Sequence, residues 1–160
     1  MTDIMKHLVL WSLVGCVVAQ CPDGWTHYGQ SCYLFAHEDV DFNAAQKFCE
    51  HFGGNLVNIE TAEENTFIRG FLSDIKSHIH WIGLTDEVVE GVWKWYPSEV
   101  TTAFTDWAPN GNEPNQATGA NCVVIYDAYN YHWADEPCTN RAYRAICEIG
   151  FEHGSEVIGK

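Results

Sequence analysis

The sequence predicts an α+β domain, and three observations carry that prediction. Two amphipathic helical stretches occupy the first half of the chain. After Asp74 the texture changes to short runs rich in aromatic and β-branched residues. Six cysteines remain once an N-terminal leader is set aside, an even number that implies a disulfide framework. Helices first and strands afterwards is the α+β pattern.

The leader comes first. Lys6 and His7 form a short positive flank, Leu8 to Val18 an apolar run, and Val17-Val18-Ala19 the small residues of a cleavage site. The run is shorter than an ordinary membrane span, and its layout is that of a secretory signal peptide over residues 1–19. Met5 is an alternative start, because Asp3 sits oddly in a positive flank. No later apolar run is long enough to cross a membrane, so a soluble, secreted, extracellular product without membrane insertion is expected. Cys16 leaves with the leader. Cys21, Cys32, Cys49, Cys122, Cys138 and Cys147 stay, and spacing alone does not choose among their pairings. No C-x-x-C pair supports zinc. The formal net charge is −14, which argues against a nucleic-acid partner and is compatible with calcium or mineral. Solubility outside the cell explains the same charge.

The first helix is predicted from Phe42 to Phe52, with Phe42, Ala45, Phe48 or Cys49, and Phe52 near one face. Asp39 or Asp41 caps it and Gly53-Gly54 end it. The second starts at Thr61, where Thr61-Ala-Glu-Glu64 matches a capping box. Phe67, Ile68, Phe71 and Leu72 form its buried stripe. Strands are expected at His80–Leu84, Val92–Trp95, Cys122–Tyr126, His132–Ala134 and Arg144–Cys147. The polar stretch from Pro97 to Asn121 is too long for an ordinary connection and reads as a structured functional loop, anchored by Phe104, Trp107 and Pro109. Residues 20–149 are expected to form the domain and 150–160 a flexible tail.

Several motifs in this order resemble the C-type lectin-like domain over about Cys21 to Ile149. They are Cys21-Pro-Asp-Gly-Trp25, Cys32-Tyr33, the Ala44/Ala45-to-Cys49 helix, Trp81-Ile-Gly-Leu84, Glu113-Pro-Asn115, Trp133-Ala-Asp135 and the Cys138-to-Cys147 spacing. As a short secreted chain it looks like the lectins of invertebrate body fluids, perlucin-like proteins among them. The resemblance implies two helices with a small antiparallel sheet, a long structured loop region, and the disulfides Cys21–Cys32, Cys49–Cys147 and Cys122–Cys138.

The resemblance also implies a calcium site. Glu113, Asn115 and Asp135 match family ligands for both the ion and the sugar, and a cis bond before Pro114 aims Glu113 and Asn115 at one point. Glu-Pro-Asn goes with mannose-type ligands. Glu accepts and the Asn amide donates, so vicinal hydroxyls are read by complementarity. Two ligands depart from the pattern, with Ala120 and Ala134 where the family has Glu and Asn. Calcium wants six to eight oxygens, so weakened Ca2+ binding is expected. Asn121 points away from where residue 120 points, while Gln116 or Asn112 are candidates to reach in. Asp86 and Glu90 match the spacing of an accessory calcium position, although a solvated turn explains them as well.

Two functional readings follow. One is a secreted, calcium-dependent lectin for mannose-type glycans, serving glycan or pathogen recognition in innate immunity. The other is a domain binding protein, mineral or another surface without a proper calcium–sugar site, for which Ala120 and Ala134 speak. Any oligomer forms non-covalently through the domain surface. Catalysis is not expected. His78 and His80 read as surface histidines, His132 lies near Asp127 and Asp135 in sequence, and no nucleophile or phosphate-loop motif occurs. Trp81, Trp93, Trp95 and Trp133 read as core, and Tyr126, Tyr129 and Tyr131 as candidate stacking surface.

Overall fold

The computed structural model describes residues 20–115 and 117–151; the predicted leader, Gln116 and residues 152–160 lie outside the described part. The chain begins with strands β1 (Thr26–Tyr28) and β2 (Ser31–Phe35), then helix α1 (Phe42–His51), strand β3 (Asn55–Leu56) and helix α2 (Ala62–Asp74). Strands β4 (His80–Thr85), β5 (Lys94–Trp95), β6 (Val100–Thr101), β7 (Cys122–Tyr126), β8 (His132–Glu136) and β9 (Arg144–Gly150) follow.

Both helices form for the reasons their sequences give. Asp41 caps α1, its carboxylate accepting from Ala44 N–H at 2.8 Å, and Phe42, Ala45 and Cys49 are buried. Phe52 falls at the C-cap and is exposed, so the buried face is one turn shorter than predicted. Thr61 caps α2, accepting from Glu64 N–H at 3.2 Å, while the Glu64 carboxylate reaches back to Glu60 N–H at 3.0 Å. Ile68 and Leu72 are buried; Phe67 and Phe71 pack half-buried against the same core.

Strand β9 is the spine of the sheet, whose order is β1-β2-β9-β4-β5-β6. It pairs antiparallel with β2 and β3 and parallel with β4. Strand β7 pairs antiparallel with β4 and β8. The three disulfides are Cys21–Cys32, Cys49–Cys147 and Cys122–Cys138, with Cα–Cα distances of 5.5, 5.2 and 5.1 Å. Cys49–Cys147 fastens α1 to β9. Trp81, Trp93, Trp95 and Trp133 are all buried.

Strands β1, β2 and β3, none of them expected from the sequence, precede or separate the helices, and other features differ from expectation too. Strand β9 runs three residues past Cys147, and Phe151 N–H still donates to Gln30 O at 2.8 Å. Part of the long polar stretch is strand β6. Phe104 and Trp107 pack on the core, whereas Pro109 is exposed.

Candidate functional site

The site stands on β7 and β8, where Val123 lies opposite Asp135 and Val124 opposite Ala134. The disulfide Cys122–Cys138 closes this end of the pair. The long loop is laid along β8. Trp133 N–H donates to Asp106 O at 2.9 Å and Ala108 N–H to Trp133 O at 2.8 Å.

A polar clasp fixes the start of that loop to α2. The Asp106 carboxylate accepts from Asn65 Nδ2 at 2.7 Å and Arg69 Nη1 at 2.9 Å, and lies 2.9 Å from His132 Nδ1. Arg69 Nη2 is 3.0 Å from His132 Nε2. A guanidinium only donates, so Nε2 accepts and Nδ1 carries the proton given to Asp106. His132 thus belongs to the clasp.

The loop then turns back. Ala108 O accepts from Gly111 N–H at 3.2 Å and Glu113 N–H at 3.3 Å, and the Glu113–Pro114 bond is cis. Asn115 joins the two acids. Its backbone N–H donates to Asp135 Oδ1 at 2.7 Å, and its Nδ2 lies 3.1 and 2.9 Å from Glu113 Oε1 and Oε2. The three residues named from the sequence therefore come together, with Asp135 buried, Glu113 half-buried and Asn115 exposed. Burial, and then the hydrogen bond and charge of Asp135, push the Glu113 carboxyl up to about 7 against the opposing pull of Asn115.

Asp86 extends this acidic end. It is 2 % exposed, not a solvated turn residue. Its Oδ2 accepts from Gly91 N–H at 2.8 Å, while its buried Oδ1 has no hydrogen-bond partner. Burial is the main cause that raises its pKa, with the Asp135 charge contributing. Glu90 is exposed.

The donor set suits a cation in part. A Glu113 carboxyl pushed up by burial and by the neighbouring Asp135 is what a divalent ion offsets. The Asn115 amide would have to turn, since its Oδ1 now accepts from Ala117 N–H at 2.9 Å. Ala120 and Ala134, each 2 % exposed, bring only methyl groups. Asn121 is half-buried and its carbonyl accepts from Asp86 N–H at 3.2 Å. Asn112 is exposed.

The aromatic and histidine expectations divide. Tyr129 flanks the site, because a Cβ on Gly111 would meet Glu113 Cγ at 2.9 Å and Tyr129 Cζ at 3.0 Å. Tyr126 packs on Tyr129 with ring centroids 4.9 Å apart. Tyr131 lies elsewhere, its hydroxyl donating to Ser77 O at 3.0 Å. His78 is exposed and 3.0 Å from Asp127 Oδ2, but His80 is fully buried and is not a surface histidine. Gly111 was not singled out from sequence, although Asn110-Gly-Asn112 is a legible turn signal.

Residues 38–149 match the family described as the Lectin C-type domain. The chain belongs to the C-type lectin domain family. It is 31% identical over 129 residues to a perlucin-like protein of Mytilus galloprovincialis, covering 79% of this chain and 81% of that one. It is 36% identical over 126 residues to C-type lectin domain family 4 member E of Mus musculus, covering 78% of this chain but only 58% of that longer protein. Among solved structures, the mouse scavenger receptor C-type lectin carbohydrate-recognition domain superposes with a TM-score of 0.73 at 30% identity, covering 84% of this chain and all of that one. A calcium-independent type II antifreeze protein superposes at 0.71 and 30% identity, covering 82% and 95%. This C-type lectin domain is a binding domain, not an enzyme. Among its described residues, no helix is long and apolar enough to cross a membrane.

Proposed function

We propose that this C-type lectin domain is a secreted, calcium-dependent binder of mannose-type glycans, acting in glycan or pathogen recognition. Glu113, Asn115 and Asp135 hold a weakly bound Ca2+ and read vicinal sugar hydroxyls. The observation that carries this reading is Asn115, which bonds Asp135 through its backbone and Glu113 through its side chain. Calorimetric calcium titration, with and without mannose, tests it on wild type and Glu113→Gln. Wild type is expected to bind near or above the ~10⁻⁴–10⁻³ M range of extracellular modules, and to bind more tightly with mannose. The variant is expected to give no heat.

A second reading is favoured by the methyl groups at Ala120 and Ala134 and by the likeness to a calcium-independent antifreeze protein. In it the same face binds protein, mineral or another surface without an ion. Mannose retention unchanged by chelator, or no calcium heat in wild type at millimolar ion, selects this reading.

A further inference from the structure

A second concave surface lies at the opposite end of β4 from the acids. Asp86 follows the strand, whereas Ser77 and His78 precede it. Six residues at about 3.3 Å each place the two ends roughly 20 Å apart. The cavity has a volume of about 400 Å³, within the ~300–1,000 Å³ usual for small-molecule sites. Phe35, Phe71 and Ile75 give it an apolar wall, the two phenyl rings stacked with centroids 4.2 Å apart.

Its polar side is cationic in a chain whose net charge is −14 and which has only 8 Lys and Arg. Lys76 and Arg144 both line it, with His37 and His78 beside them. Arg144 Nη1 donates to Ser77 Oγ at 3.2 Å. Arg144 Nε is buried without a hydrogen-bond partner, and Asp39 Oδ1, 3.5 Å away, is within ion-pair reach but not aligned to accept. Asp127 faces His78. Lys76 is exposed and takes part in none of the ion pairs among the described residues, so its charge is not offset. A guanidinium and an ammonium beside an apolar wall recognise an oxyanion attached to an apolar-faced body. A bare anion would leave Phe35, Phe71 and Ile75 uncovered.

We propose that this cavity is a second, calcium-independent site for the sulfate or phosphate ester of an anionic sugar. The ester oxygens lie against Arg144 and Lys76, and the sugar ring lies against Phe35, Phe71 and Ile75.

The test is an amide NMR titration of the folded protein in chelator at low ionic strength, which silences any calcium site and keeps the two readings separate. The probes are glucose 6-sulfate, glucose 6-phosphate, inorganic sulfate and glucose. Both esters are expected to give saturable shifts at Ser77, His78 and Arg144. Inorganic sulfate should bind at least about tenfold more weakly, and glucose should give no shift. Lys76→Gln, at an exposed unpaired position, should weaken both esters about tenfold with the rest of the spectrum intact. Arg144→Gln should abolish the shifts. Inorganic sulfate binding as tightly as the esters would reduce the site to a bare-ion contact and overturn the proposal. So would shifts with glucose equal to those with the esters, the absence of saturable shifts, or unchanged affinity in Lys76→Gln.

Discussion

At the residue scale, the site depends on how closely side chains approach Gly111. A methyl group there would stand 2.9 Å from Glu113 Cγ and 3.1 Å from Glu113 Oε1. These atoms belong to a side chain that can shift, so Gly111→Ala should leave the fold intact and displace the Glu113 carboxylate. The expected result is about fivefold weaker calcium and mannose binding by calorimetry, near 1 kcal/mol, with an unchanged melting temperature. The sequence made Glu113, Asn115 and Asp135 legible because their chemistry is written in their side chains. It did not reveal that the Asn115 backbone N–H donates to Asp135, because a backbone donor is common to nearly every residue. Nor did it show Asp86 as buried. Its neighbours Glu87 to Glu90 are exposed, and only the fold distinguishes it from them.

At the element scale, α2 does more than cover the sheet. Asn65, 4 % exposed, gives Nδ2 to Asp106 and accepts from Trp133 Nε1 at 3.0 Å. Asn65→Ala leaves the buried indole N–H without its acceptor and Asp106 without one of its donors. A loss of roughly 2 kcal/mol in chemical denaturation is expected, with weaker sugar retention because the loop loses its first anchor. Both helices were readable because caps and 3.6-residue periodicity are local properties. Strand β2 was not. Its register is set by β9, where Leu34 lies opposite Cys147, more than a hundred residues later. Strands β3 and β6 are two residues each, too short for any alternation to show.

At the scale of the whole molecule, Cys49–Cys147 closes a span of 98 residues around most of the domain. Replacing both cysteines with Ala should cost about 4–5 kcal/mol in the chain-entropy model, measured by denaturant unfolding. Stability should also depend on His80, fully buried where β4 meets β7 and β9. Burial is the main cause that pushes its pKa down from 6.5 to about 4, and the Arg144 charge adds to it. A depressed histidine pKa means the unfolded chain takes up the proton first. The stabilising effect is therefore full above about pH 6.5 and is lost as pH falls toward about 4, roughly 2–4 kcal/mol in all. His80→Gln should flatten the slope of unfolding free energy across that window. Glu64 and Glu148, whose carboxyls are pushed up mainly by burial, act in the opposite sense in both proteins and cancel in the difference.

The sequence by itself determined the fold class, the two capped helices, the even cysteine set and the chemistry available at Glu113-Pro114-Asn115. Each of these follows from residue type and short-range spacing. Only the tertiary structure decided which groups meet. Asn115 and Asp135 are 20 residues apart, Asn65 and Trp133 are 68, and Ser77 and Arg144 are 67. The burial of His80 and Asp86 was decided there too. Burial and charge proximity arise when distant strands pack, and no local window of sequence contains them.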